Sequence, residues 1–365
     1  MIEQPAPWNP LKEWKHTDVN WIRVDISKED LLKFTKRSYA KGLFQAVGFL
    51  AIVAMTGAFS WWAFANQHWV LLVLGLYLHG TVYKHFGDGI HELDHGTVFP
   101  GKALNRFFVT LYGFLYWPWN PPLYRISHLN YHHRYTLHQG SDGEETPTYV
   151  EFKWRNFYDL FLNVLHWKSM FQNFARLFTL KPTSIGWRGR GYQLDTWEQF
   201  ILQRAKEKDR KAVKNFAVFA LVGHVVFVTA CLVLHFTGVV PGLWFLPVLV
   251  TLAPFYGPLF HVSMCSSHQH AACEANHPDF RESCGSVRLD PLSSFLYWHM
   301  EYHTEHHMFA AIPCYNLKAF RNYVEDQMPP MKWSVPRLKW LHQVCKEKYG
   351  SWQYWRDTFG RWKGL

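Results

Sequence analysis

The sequence predicts an all-α membrane protein: four transmembrane helices in two hairpins, with interfacial helices and a cytosolic helical cap. Three observations predict it. Residues 42–83 and 215–273 contain no Asp, Glu, Lys or Arg, and each stretch is about twice the roughly 20 apolar residues that span a bilayer as a helix. The turns inside them, Ala65-Asn66-Gln67-His68 and Thr237-Gly238-Val239-Val240, carry no Lys or Arg, whereas basic residues crowd the N-terminal segment (Lys12, Lys15, Arg23, Lys28, Lys33, Lys36, Arg37, Lys41), the centre and the C-terminal tail. By the positive-inside rule those three regions face the cytoplasm. Aromatic residues make up 18% of the chain, with 19 Trp and 29 Phe, heavy for a soluble domain. The mean hydropathy of −0.18 looks soluble only because it averages apolar spans with charged caps.

In order, residues 1–42 form a cytosolic or interfacial segment, with Pro5, Pro7 and Pro10 early and a helical pattern from about Lys28. The polar start lacks a signal-peptide pattern, so the first hairpin, 43–85, turning near Asn66, directs insertion. Residues 86–215 return to the cytosolic face. Within them, 103–123 are apolar and aromatic but end in Pro118, Pro121 and Pro122, which predicts a helix lying in or dipping into the interface. Residues 150–200 read as peripheral helices and a loop, and 198–214 as a charged, solvated helix. The second hairpin, 216–263, turns near Gly238, and 264–365 are cytosolic. The whole reads as a single membrane domain.

The net charge of +10 flanks apolar spans, which suits anionic lipid headgroups. A nucleic-acid domain is disfavoured, since no reading motif accompanies the charge. The six cysteines form no C-x-x-C pair and read as buried or incidental thiols in a reducing compartment.

Three histidine clusters then carry chemistry. His91 and His95 are i, i+4 neighbours and share a helix face. His128 and His132 share a face, with His133 about 100° round. His303, His306 and His307 stand at i, i+3 and i+4, again on one face. One such cluster arises readily in a chain with 22 His; three on the same side of a membrane point to metal, since His is the commonest ligand and imidazole suits iron, copper and zinc. The absence of a Cys ligand disfavours iron–sulfur clusters and structural zinc. Eight or more imidazoles exceed what one ion takes, so two metals are implied.

This combination of three His clusters and two hairpins resembles the integral-membrane fatty acid desaturase/hydroxylase superfamily, whose members are non-haem di-iron enzymes. The resemblance covers about residues 43–330. HELDHGTVFPGKAL (91–104), HLNYHHRYTLH (128–138) and FLYWHMEYHTEHHMFAAIP (295–313) look particularly like its bacterial members. It implies His91, His95, His128, His132, His133, His303, His306 and His307 as ligands. A ninth is implied upstream of the third cluster, where His270 fits best and His268 is its rival. The chain departs from relatives at His299, where many have Asn, at Glu301, and at Ala310-Ala311 in place of Phe-Pro. His299 is thus an extra ligand, an outer partner of the ligands or a packed side chain; the second role is preferred.

The resemblance further implies two Fe ions, O2 as co-substrate and a membrane lipid or acyl substrate. Partners that hold the imidazole tautomers are expected among Glu92, Asp94, Asp142, His299, Glu301 and Glu305. The expected reaction is desaturation; hydroxylation of an alkyl, aromatic or small amphipathic substrate is the alternative, and a non-catalytic metal-binding protein the remote one. The chain carries no cytochrome b5 haem motif or ferredoxin-type Cys spacing, and Gly186-Trp187-Arg188-Gly189-Arg190-Gly191 is loop-like. A separate electron donor is therefore expected, of ferredoxin, rubredoxin or cytochrome b5 type with its reductase, docking on the basic cytosolic face.

Overall fold

Two serines start the first helices of the membrane-proximal region. Ser27 caps α1 (Lys28–Phe34) by accepting from the Asp30 N–H, and Ser38 caps α2 (Tyr39–Ala65) by accepting from the Lys41 N–H. The structure, a computed structural model, describes residues 8–151, 192–258 and 260–355. Among these the chain is helical, and its extended pairings are three isolated bridges, Ile22–Asp279, Thr148–Ala271 and Arg288–Trp333.

α2 has 27 residues and turns at Asn66-Gln67-His68, with Gln67 in the left-handed region, into α3 (Trp69–Tyr83). α4 (Phe86–Asp94) follows almost directly and carries the first His cluster. After α5 (Lys102–Leu115), α6 (Pro121–Ser127) leads into one turn of π-helix, His128–His132. The expected peripheral helices fall mostly on residues outside the described set. The charged stretch predicted as one helix is two: α7 (Tyr192–Arg204) ends before Lys206, and α8 (Glu207–Phe236) runs on into the apolar span.

α2 and α8 are long and apolar enough to cross a membrane. At about 1.5 Å per residue they measure roughly 40 and 45 Å. Their outward faces expose Phe44, Val47, Met55, Val222, Val226 and Phe236, side chains that suit lipid. The returning arms differ from the prediction. α3 has 15 residues, and the second return is broken into short turns, Leu243–Phe245, Leu246–Val250 and Ala253–Phe255, before α9 (Phe260–Ser266). Pro247, Pro254 and Pro258 each remove a backbone donor, and Gly257 sits at φ +94°. The two arms cross at glycines: a Cβ on Gly80 would lie 2.7 Å from the Gly257 Cα, so neither position has room for a side chain.

One apolar core underlies the His-bearing helix. Phe49, Phe86, Ile90, Tyr112 and Trp298 are fully buried together, and the Tyr112 hydroxyl donates to the Ala46 carbonyl at 2.8 Å. Gly89 faces Trp298 and Tyr112 so closely that a Cβ would meet both at 2.8 Å. This packing fixes the azimuth of α4 and hence of His91. The remaining His come from α10 (His303–Met308), which is followed by α11 (Cys314–Tyr323) and α12 (Ser334–Tyr349).

Candidate metal centre

Nine histidines meet in two groups. The donor nitrogens of His91, His95, His128, His133 and His306 lie within 4.8 Å of one another, as do those of His132, His270, His303 and His307. The predicted clusters are thus redistributed. His128 and His132, expected to share a face, go to different groups, because the π turn bonds the His133 N–H to the His128 carbonyl five residues back. That wider winding brings residues five apart together, so His128 joins His133 and His132 swings to the second group. α10 likewise divides: His306 joins the first group, and His303 and His307 the second.

The outer ring of partners sets the tautomers. Glu92 Oε1 accepts from His91 Nδ1 at 3.0 Å and lies 3.4 Å from His306 Nδ1. Glu144 Oε1 accepts from His128 Nδ1 at 2.6 Å; its other oxygen accepts from the Ser127 hydroxyl, which accepts from Trp197 Nε1 at 2.9 Å. Asp142 accepts from His132 Nδ1 at 2.9 Å, Thr136 Oγ1 from His307 Nδ1 at 3.2 Å, and the Ser283 carbonyl from His270 Nδ1 at 2.9 Å. With Nδ1 of His91, His128, His132, His270 and His307 donating outward, Nε2 of each of these five keeps its lone pair for the interior.

Those inward nitrogens fit a cation. Nε2 of His91, His95, His128 and His307 are buried and make no hydrogen bond, a situation that costs about 1–3 kcal/mol per group unless something else binds it. His270 Nε2 faces His303 Nε2 at 3.1 Å, and His133 Nε2 faces His306 Nε2 at 3.2 Å. An all-imidazole donor set suits iron, zinc or copper. Electrostatics agree: burial, then neighbouring imidazoles, hold His95, His128, His133, His306 and His307 well below the usual range, and His270 is lowered to about 4, chiefly by burial. These rings stay neutral, as ligands must. His132 alone is raised: burial opposes its charge, but Asp142, Glu144 and Glu145 together outweigh that.

Other expected residues take different places. His268 hydrogen-bonds Ser334 Oγ at 3.2 Å and stands outside both groups. His299, at φ +57°, pairs with Ser294 Oγ at 3.0 Å and also joins neither. Glu301 is held by Ser294 and pushed up to about 7 by burial. Glu305 accepts from Ser286 at 2.6 Å and Arg321 at 2.7 Å, tying α10 to α11. Asp94 pairs with Arg125 at 3.1 Å; burial raises it to about 7 against that pull. Of the six expected partners, Glu92 and Asp142 touch the nine rings. Glu144, Thr136 and Ser283 were not anticipated; the acidic run Asp142-Gly143-Glu144-Glu145 just after the second cluster is the signal that could have found Glu144.

The fatty acid desaturase family profile matches residues 67–338, most of the chain. A protein of Caenorhabditis elegans named "Putative sphingolipid delta(4)-desaturase/C4-monooxygenase" is 24% identical over 323 residues, covering 83% of this chain and 77% of its own length. The matched region holds all nine converging histidines and the second long apolar helix, α8, and the chain belongs to the fatty acid desaturase family.

Proposed function

We propose that the protein is an O2-dependent membrane oxidoreductase that desaturates a lipid acyl or long alkyl chain at two irons. His91, His95, His128, His133 and His306 would hold one ion, and His132, His270, His303 and His307 the other. Iron bound there would supply O2 activation and the one-electron chemistry that an unactivated C–H bond demands. The chain's own part is to present neutral nitrogens, which leave the centre more cationic than carboxylates would, and to keep water out by burial. Glu92, Asp142, Glu144 and Thr136 fix the rings so that little reorganisation accompanies reaction. The observation that carries this reading is the convergence of nine buried imidazoles into two groups.

In the net reaction O2, two electrons, two protons and the two hydrogens of a CH–CH unit become an alkene and two waters. The second reading, insertion of one oxygen with release of one water, is favoured by the relative whose name carries both activities. The returning arms would complete two membrane hairpins, with termini and metal centre on the cytosolic side, as the distribution of Lys and Arg supports. His299 would act on the centre only through Ser294 and Glu301. Electrons would come from a separate ferredoxin, rubredoxin or cytochrome b5 type donor.

Mass spectrometry of total lipids from cells with and without the protein, grown under 18O2, tests the proposal. A new double bond without label supports desaturation, and labelled alcohol selects the second reading. An unchanged lipid profile, with zinc in place of iron in the purified protein, would overturn both.

A further inference from the structure

A cavity of about 300 Å³ opens beside the N-terminal segment, and His133, a donor of the first group, stands on its wall with Thr17, Asp18, Trp21, Arg23 and Arg134. Trp21 is half-buried and forms one side of the opening. Its indole stacks on Phe280, with ring centroids 4.0 Å apart and planes within 11°. Phe280 is 1% exposed and lies 5.9 Å, centroid to centroid, from the ring of His307 in the second group. An unbroken line of rings therefore runs from the surface to the metal-side imidazoles.

The line is held at three points. Trp21 Nε1 donates to the Arg134 carbonyl at 3.1 Å, beside His133. The Ile22 N–H donates to the Pro278 carbonyl at 2.8 Å, two residues before Phe280. Arg23 donates to the Met308 carbonyl at 2.8 Å, next to His307, with its guanidinium 5.5 Å from the Phe280 centroid. Packing alone accounts for Trp21 on Phe280. The mouth also carries two guanidiniums, Arg23 and Arg134, against one lining carboxylate, Asp18, which is itself bonded to His16 at 2.9 Å.

We infer that this mouth is the docking surface for an acidic one-electron carrier protein, with Trp21 and Phe280 bridging the electron path to His307. The inference rests on the iron-enzyme reading above. Each encounter oxidises the carrier by one electron and reduces the metal pair by one, so two encounters supply one turnover. Neither ring changes oxidation state. Packed atoms transmit electronic coupling better than solvent does, so the stacked pair narrows the gap the electron must tunnel. Arg23 and Arg134 steer the carrier by charge.

The test mixes iron-loaded protein anaerobically with a reduced plant-type ferredoxin in a stopped-flow instrument and follows ferredoxin oxidation. Trp21→Leu is expected to slow it roughly tenfold at saturating carrier, with Trp21→Phe retaining most of the rate, because stacking is the property that matters. Arg134→Glu is expected to lower the second-order rate roughly tenfold at low ionic strength and to flatten its salt dependence. All three should keep wild-type iron content and wild-type reduction by methyl viologen radical, which is small enough to need no docking. If Trp21→Leu loses iron, Arg134→Glu decides the outcome. Iron-replete Trp21→Leu or Arg134→Glu oxidising ferredoxin at wild-type speed overturns the inference, as does wild type that accepts electrons from viologen but not from ferredoxin. Wild type that binds no iron ends the functional reading itself, and this inference with it.

Discussion

The two histidine groups are built differently. The first has five donors from all three sequence clusters, and carboxylates, Glu92 and Glu144, hold two of its rings, His91 and His128. The second has four, and one of them, His270, lies 33 residues before its neighbour His303. Its orienting partners are mixed: the Asp142 carboxylate, the Thr136 hydroxyl and the Ser283 carbonyl. The difference teaches that a sequence cluster is not a site. The π turn and α10 each feed both groups, so the two sites are interleaved on the same short elements.

Ligand removal should expose the asymmetry most strongly. His307→Ala leaves three donors in the second group, and bound iron is expected to fall from two per chain to one, with activity lost. His95→Ala leaves four in the first group and should retain more metal. Elemental analysis of the purified variants checks this, and equal losses would break the comparison.

Acid should act next. Below the ordinary His value of about 6.5 the unfolded chain takes protons that the buried rings refuse, His270 down to about 4 and five others held well below the ordinary value. The unfolded state then binds more protons, so the metal-free protein loses stability as pH falls through that window. Asp94, Glu144 and Glu301, each raised to about 7, and His132 slope the other way but are outnumbered. Denaturant unfolding of metal-free protein at pH 7 and pH 5 reads the sign. Equal or greater stability at pH 5 would mean that the carboxyls dominate.

The orienting partners come third. Asp142→Asn and Glu144→Gln are each expected to weaken iron binding by roughly 10–100-fold. Competition with a chelator should place the Asp142 effect on the second ion and the Glu144 effect on the first. Thr136→Val is the mildest change, about 1 kcal/mol: it removes the acceptor of His307 and a bond to the His132 carbonyl at 2.8 Å. Thermal unfolding measures it, and a loss as large as that of Asp142→Asn would show the hydroxyl to be an equal partner.

Much of this was legible in the sequence. The charge-free stretches located both long apolar helices and their turns at Asn66 and near Gly238, because a long run of apolar residues has few other uses in a folded chain. The residue types that could hold a metal were legible too, since imidazole chemistry resides in the side chain. Helical spacing failed at His132, because a π turn has no sequence signature that separates it from an α turn. It also failed for the returning arm of the second hairpin, where the apolar run hid the breaks that Pro247, Pro254 and Pro258 impose.

By itself, then, the sequence determined the long apolar helices, the imidazole clusters and the family, all properties of composition and local order. Only the tertiary structure decided which imidazole serves which group, that His270 and not His268 turns inward, and that Glu144 reaches His128. The Thr148 N–H bonds the His270 carbonyl at 2.9 Å and the Ala272 N–H returns to Thr148 at 3.1 Å. That pairing joins segments more than a hundred residues apart and sets which way His270 faces. Contacts of this range depend on packing between elements, and no local pattern encodes them.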